Sequence, residues 1–158
     1  MINGTEILLI EDNPEDVEIT LRAFQKYGLA SKIHVVRDGE EALECLFHTG
    51  RYADRPVCTN TQLILLDLKL PKVDGMEILQ RCKSDPRTKN IPVVVLTSSR
   101  EERDLHNSYN LGVNSYIVKS VDFSQFTEAV RQLGLYWIGL NQLPSGTHCA
   151  EEGAGGSQ

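Results

Sequence analysis

No stretch of this chain approaches the ~18 consecutive apolar residues of a membrane-spanning helix. Its opening, Met1-Ile2-Asn3-Gly4-Thr5-Glu6, lacks the basic segment and apolar core of a secretory signal. On this reading a membrane partner is excluded and a cytoplasmic location is expected. Positive charge is in the minority, with 16 Lys and Arg against 22 Asp and Glu and a net charge of −6. That argues against a nucleic-acid surface, which needs clustered cations. The four cysteines, at 45, 58, 82 and 149, form no C-x-x-C pair, and the histidines at 34, 48, 106 and 148 are equally scattered. A zinc site would need closer spacings and is not expected. Reduced thiols are expected, with Cys45 and Cys82 packed on helix faces. No internal repeat is visible.

What the chain does have is a run of alternating segments. Its 158 residues suffice for one domain with a full core. Five short apolar strands alternate with five helical patterns, which implies a parallel sheet covered on both faces. The strands are read near 6–11, 33–36, 63–67, 91–96 and 115–118. Pro14 opens the first helix and Gly28 ends it. Asp122 caps the fifth, where Phe123, Phe126, Val130, Leu133 and Trp137 form an apolar stripe. The segment from His48 to Thr61 exceeds the usual ~2–6 residue connection and is read as an inserted surface loop. The expected fold is α/β, doubly wound and flavodoxin-like, with strand order 2-1-3-4-5. The domain is expected over residues 5–143, followed by a disordered, Gly-, Ser- and Glu-rich tail at 144–158.

The strand ends carry the chemistry. Leu63-Ile64-Leu65-Leu66 runs into Asp67, and Ile7-Leu8-Leu9-Ile10 runs into Glu11-Asp12. Val93-Val94-Val95-Leu96 ends in Thr97, and Tyr116-Ile117-Val118 ends in Lys119. Open α/β sheets bind ligands at this carboxyl edge, where neighbouring strands diverge. Asp12 and Asp67 are expected to face one another there, and two adjacent carboxylates repel unless a proton or cation intervenes. Oxygen ligands without His or Cys select a hard ion, of which Mg²⁺ is the expected one. Any one of these residues alone could be an ordinary cap or surface group; four strands ending in complementary groups point to a site for a cation and a phosphoryl group.

The segments ILLIEDNPED (7–16), LILLDLKLPKVDGMEIL (63–79), PVVVLTSS (92–99) and YIVKS (116–120) resemble the receiver domain of two-component response regulators. The long loop before the third strand and LGVNSYIVKSVDFSQF are most like single-domain regulators paired with bacterial phytochromes. The resemblance implies that Asp67 is the phosphoacceptor, supplied by a histidine kinase. It makes Asp12 a direct Mg²⁺ ligand, Glu11 an outer acidic partner and the Lys69 backbone carbonyl a further ligand. Thr97 would hydrogen-bond the phosphoryl group and Lys119 would pair with it. The chain would catalyse its own phosphorylation and dephosphorylation without being a turnover enzyme. Thr97 and Tyr116 would form the switch, Tyr116 rotating in from solvent.

One departure stands out: receivers usually carry a cis proline after the lysine, and here Ser120 follows Lys119. A phosphatase using an aspartyl-phosphate would need an acid two residues after its nucleophile, a position held by Lys69. The 15 residues after Leu143 are too few for an output domain, so output through protein–protein contact is expected. A second apolar group, Leu135, Tyr136, Ile138, Leu140 and Leu143, points to a symmetric homodimer through the fifth helix region, unless it folds back over its own domain.

Overall fold

The computed structural model describes residues 6–26, 28, 32–55, 57–98, 101–119 and 122–140. Five strands, β1 (Ile7–Ile10), β2 (Ile33–Val36), β3 (Leu63–Leu66), β4 (Val93–Thr97) and β5 (Ser115–Val118), pair in parallel in the expected order 2-1-3-4-5. Every residue of β1, β3 and β4 is buried, as their Ile, Leu and Val runs require, including the Thr97 that ends β4. Successive residues feed opposite faces. Leu8, Ile10, Ile64, Leu66, Val93 and Val95 join one core cluster; Ile7, Leu9, Leu63, Leu65, Val94 and Leu96 join the other. The sheet is doubly wound because each strand has two apolar sides to cover.

The helices are α1 (Pro14–Gln25), α2 (Gly39–Phe47), α3 (Gly75–Ser84), α4 (Glu102–Asn110) and α5 (Phe123–Gly134). Asn13, Asp38, Asp74 and Asp122 cap α1, α2, α3 and α5 by accepting backbone N–H bonds, each worth about 1 kcal/mol. Helices α2 and α3 cover the first cluster, through Ala42, Cys45 and Leu46 and through Ile78, Leu79 and Cys82. Helices α1 and α5 cover the second, through Val17, Ala23 and Phe24 and through Phe126, Val130 and Leu133. Helix α4 is polar and buries only Ser108. Among the described residues no helix is long and apolar enough to cross a membrane.

Beyond α5 the chain continues as a π-helical segment, Leu135–Leu140. Trp137 is half-buried against the second cluster and meets Tyr136 edge-on, while Leu135 and Tyr136 are exposed. Leu143 and the expected tail at 144–158, with His148 and Cys149, lie outside the described residues, as do the side chains of Phe123, Ile138 and Leu140.

Two readings of the 48–61 segment need correction. It is not simply a surface loop: a 3-10 turn at Gly50–Tyr52 tucks Tyr52 inward, and Cys58 and Thr61 are also buried. Nor are all the thiols reduced. Cys45 on α2 and Cys58 form a disulfide, with their Cα atoms 6.2 Å apart. The two cysteines stand 13 positions apart, one on α2 and one beyond the 3-10 turn, so their meeting depends on how the segment returns to the core. Cys82, which takes no part in the disulfide, is buried on α3, as expected.

The same segment closes a polar relay on β2. The Tyr52 hydroxyl donates to Glu41 Oε2 at 2.6 Å and lies 2.9 Å from His34 Nε2. Since Tyr52 gives its one proton to Glu41, His34 Nε2 is the donor to Tyr52. Burial holds His34 below the usual histidine range, against the pull of Glu41. A histidine whose folded value is lowered takes up its proton first in the unfolded chain, so stability is complete above pH about 6.5 and is lost as pH falls below it. His34→Gln should therefore flatten the fall in thermal midpoint between pH about 6.5 and 5. Equal slopes in the two proteins would contradict this.

Candidate functional site

Strand register brings the candidate residues together. Ile10 pairs with Leu66, so Glu11 and Asp67 leave β1 and β3 side by side. The Asp67 N–H still donates to the Ile10 carbonyl at 3.0 Å, and Glu11 N–H to Val36 O at 3.0 Å. On the other flank Thr97 pairs with Val118, and Lys119 N–H donates to Thr97 O at 2.7 Å. Each residue thus sits on or one step beyond a ladder, with its backbone fixed by the sheet.

Lys119 organises the side chains. Its Nζ donates to Glu11 Oε1 at 2.6 Å, Asp16 Oδ2 at 2.7 Å and Asp67 Oδ2 at 3.3 Å. Burial alone would lower its pKa, but the bonds to Asp16 and Glu11 prevail and hold the ammonium above the usual lysine range. Glu11 is buried, and burial pushes its carboxyl up to about 7 against the pull of Lys119; the Asp67 charge adds to the rise. Its second oxygen accepts the Asn13 N–H at 3.2 Å. Asp67 is also buried, whereas Asp12 is exposed at the mouth.

Oxygens of Glu11, Asp12 and Asp67 lie within 4.8 Å of one another. A cluster of hard anionic donors at that spacing suits a divalent cation that prefers oxygen. Two of the three already touch a cation in Lys119, so the site tolerates positive charge at its centre. The Lys69 backbone belongs to the loop beyond Asp67, and its N–H turns back to Asp67 Oδ1 at 3.2 Å. That loop is clamped at two points, by Gly39 N–H to Pro71 O and by Gly75 N–H to Leu68 O, both 3.1 Å.

A family model, the response regulator receiver domain, matches residues 7–131. The chain belongs to the response regulator receiver family. A probable methanogenesis regulatory protein of Methanothrix harundinacea, FilR2, is 41% identical over 87% of this chain and 86% of its own length. The response regulator Rcp1 of Synechocystis is 37% identical over 88% of this chain and 92% of its own. Its Mn²⁺-bound crystal structure superposes with a TM-score of 0.81, covering 90% of this chain and 100% of that one. The phosphorylated cyanobacterial phytochrome response regulator RcpA, 42% identical, gives a TM-score of 0.82 over 90% of this chain and 99% of that one. The receiver described here is thus a signalling protein of the phosphorylation-based, two-component kind.

Within this receiver, Thr97 is fully buried at the end of β4. Tyr116 is half-buried against the first core cluster, so it does not start out in solvent. The Lys119–Ser120 peptide involves a residue outside those described. Sequence reasoning missed Asp16, which lies one position before the core residue Val17 in the first turn of α1. Only the approach of that turn to Lys119 reveals its part in the site.

Gly75 shows how tightly α3 presses on the site. A Cβ there would stand 2.5 Å from the Asp67 carbonyl oxygen and 2.6 Å from Leu68 Cα. Backbone cannot yield as a flexible side chain would, so Gly75→Ala should cost about 1–3 kcal/mol of stability in a urea titration. An unchanged midpoint would mean that α3 recedes without penalty.

Proposed function

We propose that Asp67 accepts a phosphoryl group from a histidine kinase, with Mg²⁺ held by Asp12, Asp67 and the Lys69 carbonyl and with Glu11 as outer acidic partner. The observation that carries this is the carboxylate cluster within 4.8 Å, with Lys119 Nζ 3.3 Å from the proposed nucleophile. An Asp67 oxygen attacks phosphorus as the bond to the kinase imidazole breaks, and that imidazole leaves with the electron pair. The cation would neutralise the equatorial oxygens and orient them for in-line transfer. Lys119 pairs with the transferred group, and Thr97 gives it a hydroxyl hydrogen bond. The inward movement of Thr97 vacates space for Tyr116, altering the α4–β5–α5 face that meets a downstream protein. The likeness to RcpA, a phytochrome response regulator by its description, supports a bacterial phytochrome in the cytoplasm as the kinase.

Labelled acetyl phosphate tests the assignment. Asp67→Asn should abolish base-labile label, and Asp12→Ala should weaken Mg²⁺ binding at least about tenfold. Label retained in Asp67→Asn would sink the phosphoacceptor assignment, and unchanged Mg²⁺ affinity in Asp12→Ala would remove Asp12 from the ligands.

We also propose a homodimer through α5 and the segment after it. Leu135 and Tyr136, 45% and 50% exposed, form an apolar pair beyond the stripe that packs α5 on the sheet. Aromatic groups at such positions anchor interface cores. Light scattering across concentrations should give a dimer that Tyr136→Glu dissociates. A wild-type monomer at high concentration would refute it.

A further inference from the structure

Asp16 has no part in the roles assigned above, yet it holds the residue on which those roles turn. Asn13 caps α1 by accepting the N–H groups of Glu15 and Asp16 at 2.9 and 3.1 Å, which fixes the first turn. From that turn the Asp16 carboxylate takes one Lys119 hydrogen bond at 2.7 Å, shorter than the 3.3 Å contact of Lys119 with Asp67. A lysine ammonium has three N–H groups, and Glu11, Asp16 and Asp67 account for three acceptors.

A phosphoryl group on Asp67 places its oxygens farther out than the carboxylate it is built on. Lys119 must then swing outward and loosen one of its other bonds. Glu11 is the costly one to give up, since its side chain is only 4% exposed and water cannot take the lysine's place there. Asp16 is 29% exposed, so water can replace the lysine there. We propose that Asp16 is a positioning residue that draws Lys119 toward α1 in the resting receiver and must release it when the phosphoryl group arrives. It therefore opposes the phosphorylated state and sets how readily that state forms. This rests on the reading of Asp67 as the acceptor.

Asp16→Asn keeps the side-chain shape and every backbone bond of the first turn while removing the charge that competes for Lys119. The probe is beryllofluoride with Mg²⁺, an anion of phosphoryl shape, titrated by calorimetry into wild type, Asp16→Asn and Asp16→Glu. Asp16→Asn should bind about three- to fivefold more tightly, the worth of a partly exposed ion pair. Asp16→Glu, which retains a carboxylate, should stay near wild type. Unchanged or weaker binding by Asp16→Asn overturns the proposal, as does equal tightening in Asp16→Glu. Wild type that takes no beryllofluoride overturns the acceptor reading itself, whereas binding by wild type without tightening in Asp16→Asn overturns the Asp16 role alone.

Discussion

One ammonium among three carboxylates holds the functional end of this molecule together. Glu11 and Asp67 leave adjacent strands with their side chains buried, where two anions would repel strongly in a poorly solvating surround. Lys119 lies within 3.3 Å of both and also reaches Asp16, so the resting site keeps a cation at its centre. Any added divalent cation or phosphoryl group must re-divide those contacts. One lysine cannot serve every anion equally.

The position of the cluster follows from the sheet. Strands β1, β3 and β4 are apolar on both faces and offer no place for a polar group along their length. Chemistry is confined to their ends, and parallel pairing puts all the carboxyl ends on one edge. Because β1 and β3 are neighbours although far apart in sequence, their terminal acids become a pair. The loop after β3 is then held by backbone bonds from Gly39 and Gly75, and the Asp67 carboxylate itself keeps the Lys69 N–H beside it.

Away from that edge lies a second polar assembly, built from the segment between α2 and β3. The His34–Tyr52–Glu41 relay and the Cys45–Cys58 link fasten this segment to β2 and α2. Tyr52 lies almost fully inside, with its hydroxyl satisfied by Glu41, which is what permits a polar tip at that depth. The segment thus sends Tyr52, Cys58 and Thr61 into the core while its tip stays exposed.

Most of the fold and much of the site were legible in the sequence. Apolar runs of strand length, Asx caps and terminal acids are local features, and parallel topology converts them into one edge with little ambiguity. Asp67, Glu11, Asp12 and Lys119 were therefore identifiable from their places at strand ends. Tertiary structure alone decided the rest. Asp16 is an unremarkable first-turn acid until α1 packs beside the end of β5, and Cys58 is an isolated thiol until its loop folds back on α2. The physical reason is one of range. Hydrophobic periodicity and capping act over a few residues, whereas a hydrogen bond spanning 103 positions, as between Asp16 and Lys119, forms only after the sheet has set both ends in place.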